Sequence, residues 1–301
     1  MKRNRIMSCL LAMALTAGLC LGGPMTVRAA DSGYREHREE PEQWIPRISW
    51  TETPVTCQSG SDTLAGTLTM PKDAGEKVPV AILLHGLSTD SRWCDGIAWY
   101  LADHGIASVR FDFAGSGFST GAQEDMTVSS EVANTLDILD YVESQSFTDL
   151  DNIFLVGKSM GGVDAVLAAQ QREDEIRAMC LWYPGFGLGD AVRHGFLLGE
   201  FFDAGDPPET LTAAGYTYGR DFLLEAGSLD CASACRSYDG PVLILHGDRD
   251  FIAPIGFSFQ MSQEFPNCQL NVVPGGNHGF WGYQELHALD DMTAFLQENM
   301  A

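Results

Sequence analysis

The stretch Ile153-Phe154-Leu155-Val156-Gly157-Lys158-Ser159-Met160-Gly161-Gly162 decides how this chain folds. A short, wholly apolar run stops abruptly at a Gly-x-Ser-x-Gly. A serine on a tight strand-to-helix turn sits in strained backbone, and only small residues two before and two after it let the crossing segments approach. Ser159 then stands at a sheet edge, with the N-terminus of the following helix aimed at any negative charge that develops there. That arrangement makes a nucleophile. Gly157-Lys158-Ser159 also imitates the end of a phosphate-cradling loop, but that motif requires a glycine where this chain has Asn152. The nucleotide-binding reading is therefore weak.

Working outward, short apolar runs recur at 78–84, 107–111, 153–156, 179–182, 242–245 and 270–273, separated by helix-length segments. Continuous rather than alternating apolar runs imply strands buried on both faces, hence an α/β fold with a mainly parallel central sheet flanked by helices. Segments 48–57 and 63–70 flank a turn at Ser59-Gly60-Ser61 and predict a β-hairpin ahead of the parallel part, ended by Pro71. Val132, Leu136, Leu139 and Val142 fall at helical spacing within 128–142, and 286–296 closes the chain in the same way. One stretch, about 185–238, breaks the alternation and mixes glycines with Phe186, Phe196, Phe201, Phe202, Tyr216, Tyr218 and Phe222 without a clear strand. An apolar insertion of that length just past the serine reads as a cap over a pocket.

The N-terminal residues carry Lys2, Arg3 and Arg5, then a mostly apolar run 6–21, then Gly22-Gly23-Pro24 and small residues around Val27-Arg28-Ala29. This order is that of a secretory signal peptide over 1–29, cut near Ala29, and the apolar core is too short for a confident membrane span. Cys20 follows Leu19 and lacks a lipid-attachment context, so a released, secreted protein is expected. Residues 30–47 are polar and acidic and read as an N-terminal arm, which leaves 48–301 as one α/β domain with its cap insertion.

The chain has 18 basic against 41 acidic residues, a net charge of −23 that falls to about −27 once the signal is removed. Such a surface repels nucleic acid and anionic lipid. No nucleic-acid partner is expected, and no membrane after signal cleavage; the oligomeric state is left open. Six cysteines remain after cleavage, and Cys231 and Cys235 are the nearest pair. Four-residue spacing on a helix is poor disulfide geometry, and no further Cys or His completes a zinc site.

A serine hydroxyl needs a base to take its proton, and the base needs a carboxylate to fix its tautomer. Strand 242–245 runs into His246-Gly247-Asp248-Arg249-Asp250, and strand 270–273 into Pro274-Gly275-Gly276-Asn277-His278. Both lie just beyond the C-terminal ends of buried strands, where open α/β sheets bind ligands. Ser159, Asp250 and His278 follow one another in the order an α/β sheet of this kind requires. Asp248 competes with Asp250 as the acid, and Asp250 is favoured. His37 lies in the arm, and His104, His194 and His287 lack a strand end beside them. His85 and His246 sit at strand ends, but each precedes a glycine, which suggests a backbone role in a tight loop. Backbone N–H groups of Met160, after the nucleophile, and of Leu87, in the loop after 78–84, are placed to form an oxyanion hole.

Taken together, His85-Gly86-Leu87, 112–119, Gly157 to Gly162, His246 to Asp250 and Gly276-Asn277-His278 resemble the α/β-hydrolase superfamily over roughly 63–299. The cap end Tyr216-Thr217-Tyr218-Gly219-Arg220-Asp221-Phe222, returning to strand 242, is similar to the bacterial cinnamoyl and feruloyl esterases. The resemblance implies Ser159 as nucleophile, His278 as general base and then acid, Asp250 as its orienting carboxylate, and Leu87 and Met160 as the oxyanion hole. It implies that the aromatic cap binds the acyl or phenolic part of a small ester, with Tyr216, Tyr218 and Phe186 as the expected contacts. Asp112 becomes a loop-shaping residue. Lys158 stands where related enzymes often place histidine. The expected activity is a serine carboxylic-ester hydrolase working through an acyl-enzyme, with lipase, monoacylglycerol hydrolase or peptidase chemistry as alternatives. No metal or cofactor is called for, because positioned side chains and water suffice.

Overall fold

The computed structural model describes residues 49–301, so the expected signal peptide and the whole of the arm lie outside the described residues. The chain enters through an antiparallel hairpin, β1 (Trp50–Ser59) and β2 (Asp62–Pro71), turning at Gly60. It then alternates strand and helix: β3 (Val78–Leu84), α1 (Asp95–Asp103), β4 (Ala107–Phe111), α2 (Val128–Glu143), β5 (Thr148–Lys158), α3 (Met160–Ala169) and β6 (Ala178–Trp182).

Between β6 and the next core strand lies the insertion. The absence of a clear strand expected there does not hold: it contains helix α4 (Leu188–Arg193), the hairpin β7 (Phe196–Leu197) and β8 (Glu200–Phe201), the hairpin β9 (Thr210–Ala213) and β10 (Tyr216–Gly219), and helices α5 (Arg220–Gly227) and α6 (Cys231–Arg236). These strands are only two to four residues long, too short to show a two-residue alternation. The chain then returns through β11 (Val242–Gly247), α7 (Ile255–Met261), β12 (Cys268–Val273) and α8 (Tyr283–Glu298).

The eight core strands form one sheet in the order β1-β2-β4-β3-β5-β6-β11-β12. From β4 to β12 every pairing is parallel; β2 pairs antiparallel with both β1 and β4, so β2 alone runs against the other strands. Apolar side chains from successive residues go to opposite faces. Ile82, Leu84 and Leu155 join a core with Val132, Leu139 and Val163 of α2 and α3, whereas Ala81, Leu83, Phe154 and Val156 join a second core with Leu101 of α1 and Leu289 and Met292 of α8. Burial on both faces is why the strands read as unbroken apolar runs. Among the described residues no helix is long and apolar enough to cross a membrane.

The insertion is fastened to the body by polar ties. Glu225 of α5 accepts hydrogen bonds from the Ser129 backbone N–H at 2.8 Å and its hydroxyl at 2.9 Å, at the first turn of α2. Gln123 accepts from the Thr217 N–H at 3.3 Å. All six cysteines among the described residues are free.

Candidate active site

Ser159 sits between the end of β5 and the start of α3 with φ 55° and ψ −116°, a conformation that costs a non-glycine residue about 1–3 kcal/mol. The turn is tight enough that a Cβ on Gly157 would lie 2.2 Å from the Gly161 carbonyl oxygen. The flanking glycines are thus required by the close crossing of strand and helix. Backbone bonds pin the turn: Ser159 N–H donates to the Trp182 carbonyl at 3.0 Å, and the Ser159 carbonyl accepts from Gly185 N–H at 2.8 Å.

Asp250 follows β11, and its carboxylate folds back on its own loop. Oδ1 accepts from the Ile252 and Ala253 N–H groups at 2.9 and 2.8 Å. Oδ2 lies 2.8 Å from His278 Nδ1. A carboxylate can only accept, so Nδ1 carries the imidazole proton and Nε2 presents its lone pair. That Nε2 lies 3.0 Å from Ser159 Oγ. The three sequence-picked residues therefore form one unbroken hydrogen-bond chain, and Asp250, buried at 6 % exposure, is the carboxylate that His278 meets. Asp248 bonds the Gly275 N–H instead and remains exposed.

Burial pushes the Asp250 carboxyl upward, but hydrogen bonds from His246 and His278, the positive charge His278 can carry and the Ala253 N–H outweigh it and hold the group far below the usual carboxylate range. His246 plays a part other than the one its sequence position suggested. Its side chain is fully buried, with Nε2 2.8 Å from the Ala253 carbonyl and 3.4 Å from Asp250 Oδ2, and Nδ1 2.7 Å from Ser258 Oγ. The expected backbone role is replaced by a side-chain brace beneath the acid. His85 is corrected in the same way: its Nε2 accepts from the Phe113 N–H at 3.1 Å while Nδ1 faces the Gly86 carbonyl at 3.0 Å, tying two loops together. A strand-end position signalled both residues, but the following glycine obscured which part of the residue was used.

The loop after β3 passes directly over the serine. A Cβ on Gly86, the residue before Leu87, would sit 2.9 Å from Ser159 Cβ, and Met160 opens α3 immediately after Ser159. Asp112 holds this region in shape: Oδ1 accepts from Ser91 N–H at 2.8 Å and Oδ2 from Phe118 N–H at 2.7 Å.

The three aromatic residues expected to touch substrate take different places. Phe186 is buried on the segment that Gly185 ties to Ser159. Tyr218 has no exposed surface; its ring packs on Phe222 at 5.1 Å and its hydroxyl bonds Ser88, the residue after Leu87. That contact ties β10 to the loop that carries Leu87. Tyr216 begins β10, paired with Ala213 next to the hairpin turn, and is partly exposed.

The walls around His278 come from residues the sequence did not single out. Tyr183, buried at φ 37°, packs 4.8 Å from the His278 ring, and Trp93 lies 6.3 Å from it. Lys158 is buried under Trp93, donating to its carbonyl at 2.7 Å, with the ammonium 4.3 Å from the ring centroid. Burial pulls the Lys158 pKa down, against opposing pulls from Cys94 and Glu285.

A parallel sheet sandwiched by helices, with a serine elbow after β5, an acid after β11 and a histidine after β12, defines an α/β hydrolase architecture. A family model described as serine aminopeptidase, S33, matches residues 75–203. The structure of Est1E from Butyrivibrio proteoclasticus with ferulic acid bound superposes with a TM-score of 0.77 at 31 % identity, covering 81 % of this chain and 98 % of that one. The non-heme chloroperoxidase CPO-A1 of Kitasatospora aureofaciens is 26 % identical over 69 % of this chain and 87 % of its own length. The AB hydrolase superfamily protein YisY of Bacillus subtilis (strain 168) is 24 % identical over 74 % and 92 % respectively. The chain belongs to the α/β-hydrolase superfamily, and within it resembles the bacterial feruloyl esterases.

Proposed function

We propose that this protein is a secreted serine carboxylic-ester hydrolase that works through an acyl-enzyme on small aromatic esters of the hydroxycinnamate type. The observation that carries the reading is His278, whose Nδ1 lies 2.8 Å from Asp250 and whose Nε2 lies 3.0 Å from Ser159 Oγ. As Oγ attacks the ester carbonyl carbon, its proton passes to Nε2, and the imidazolium is stabilised by the ionised Asp250. The carbonyl π electrons move to oxygen, and the Leu87 and Met160 N–H groups receive the oxyanion. Collapse breaks the bond to the alkoxide, which takes the proton from Nε2 and leaves as the alcohol. Water then repeats the sequence on the acyl-serine and releases the acid. The substrate class leans on the likeness to Est1E, and export on the order of charged, apolar and small residues over 1–29.

The test is hydrolysis of methyl ferulate and p-nitrophenyl acetate by purified protein. Saturable turnover that disappears in Ser159→Ala supports the reading, and no turnover of either ester by the intact protein removes it. The match to a serine aminopeptidase family model favours a second reading. It requires release of N-terminal residues from a peptide, abolished by the same substitution.

A further inference from the structure

The turn that carries Leu87 has an uncommon shape, and a side chain of the cap grips it. Gly86-Leu87-Ser88-Thr89 turn the chain after β3, with Ser88 at φ 59°. In a turn of this length a left-handed third residue is ordinarily glycine or asparagine, so a serine there is strained and needs its surroundings to hold it. The turn closes through a side chain. The Thr89 hydroxyl donates to the Gly86 carbonyl at 2.6 Å, and the same carbonyl accepts from His85 Nδ1 at 3.0 Å. A trans peptide is planar, with its C=O and N–H on opposite sides, so fixing the Gly86 carbonyl also fixes the direction of the Leu87 N–H. Among the described residues that N–H donates to no protein acceptor. Gly86 itself lies against the elbow, since a Cβ there would be 2.9 Å from Ser159 Cβ.

The Ser88 hydroxyl makes one hydrogen bond among the described residues, to the Tyr218 hydroxyl. Tyr218 belongs to the cap, and its neighbours seat it firmly on the body. The Thr217 N–H donates to Gln123 at 3.3 Å, and a Cβ on Gly219 would lie only 2.3 Å from the Glu124 carbonyl oxygen. The Tyr218 ring packs 5.1 Å from Phe222 and has no exposed surface. Burial lifts the phenol to about 12, so a neutral O–H meets Ser88. A fixed hydroxyl of the cap thus holds the one residue of the turn whose backbone is left-handed.

We propose that Tyr218 is a positioning residue for the oxyanion hole: through Ser88 it keeps the turn closed on the Gly86 carbonyl and so aims the Leu87 N–H at the developing oxyanion. This rests on the ester-hydrolase reading above and adds to it a part for the cap in the chemical step itself.

Two variants cut the tie from opposite sides. Tyr218→Phe removes one oxygen and keeps the ring, and Ser88→Ala removes its partner from a half-buried position, which decides the matter should Tyr218→Phe not fold. Losing an oxyanion donor outright costs about 10²–10³ in rate, so misdirecting one is expected to lower kcat on p-nitrophenyl acetate about tenfold with KM unaltered. Because both substitutions remove the same bond, the double variant is expected to lose no more than the slower single one. Phosphonylation of Ser159 by a fluorophosphonate places a charged oxygen in the same hole without an ester, and its rate is expected to fall by the same factor. Glu225→Ala cuts the separate tie from the cap to Ser129 and is expected to leave kcat and the labelling rate as in the intact protein. Unaltered kcat and labelling in the two single variants, a loss confined to KM, losses that add in the double variant, or an equal loss in Glu225→Ala would each overturn the proposal. The parent reading fails separately: if the wild-type protein hydrolyses no ester that reading falls, while the labelling rates still decide the role of Tyr218.

Discussion

The Lys158 ammonium donates to the Trp93 carbonyl at 2.7 Å from inside the protein, one residue before Ser159. A buried cation with a single carbonyl acceptor and an aromatic face is costly to place and specific once placed. Its effect here is positional, since Trp93 in turn flanks His278. Lys158→Ala leaves the Trp93 carbonyl without its donor and opens a void. It should lower stability by about 2 kcal/mol or more and reduce kcat more than it raises KM. Thermal unfolding and steady-state kinetics check this, and an unchanged kcat would show that Trp93 holds its place unaided.

Asp250→Asn keeps the shape of the loop but presents an amide to His278. Its N–H₂ can face Nδ1 and favour the tautomer with the proton on Nε2, which then cannot accept from Ser159. A fall of about 10³–10⁴ in kcat with near-native unfolding behaviour is expected. Activity within tenfold of wild type would mean that another group orients His278.

Ser159 is held at positive φ by the elbow. Ser159→Gly removes both the hydroxyl and the strain, so it should abolish ester turnover and raise stability by about 1 kcal/mol. A stability loss would show that the turn is relaxed with serine in place.

Glu131 of α2 and Asp164 of α3 are both buried, and among the described residues Asp164 has no hydrogen-bond partner on either oxygen. Burial raises the Glu131 carboxyl to about 8. Burial and the nearby Glu131 raise Asp164 well above its ordinary value. Folded-state pKa values above the unfolded ones mean that the native state binds the extra protons. The contribution is full below about pH 4 and is lost as pH rises toward about 8. The melting temperature should therefore fall across that window, and Asp164→Asn should flatten the fall. A variant whose pH profile parallels wild type would contradict this.

Much of the fold was legible because physical demands left compositional traces. Strands buried on both faces read as unbroken apolar runs, and the elbow at Ser159 needs its glycines. The meeting of Ser159, Asp250 and His278 was visible because Asp250 and His278 both follow buried strands. What stayed hidden depends on side-chain direction. Nothing local told that His246 would turn its ring toward Asp250, or that the Tyr218 hydroxyl would meet Ser88. Lys158, Trp93 and Tyr183 meet around His278 only through tertiary packing, and the short strands of the insertion lack a period to detect.

The account stands on His278 activating Ser159, and the rate of covalent labelling by a fluorophosphonate probe reads that activation without assuming a substrate. Intact-protein and peptide mass spectrometry should find one adduct, on the peptide containing Ser159. The adduct should be absent in Ser159→Ala and form at least about 10³-fold more slowly in His278→Ala. Labelling of another residue, or undiminished labelling in His278→Ala, would contradict it.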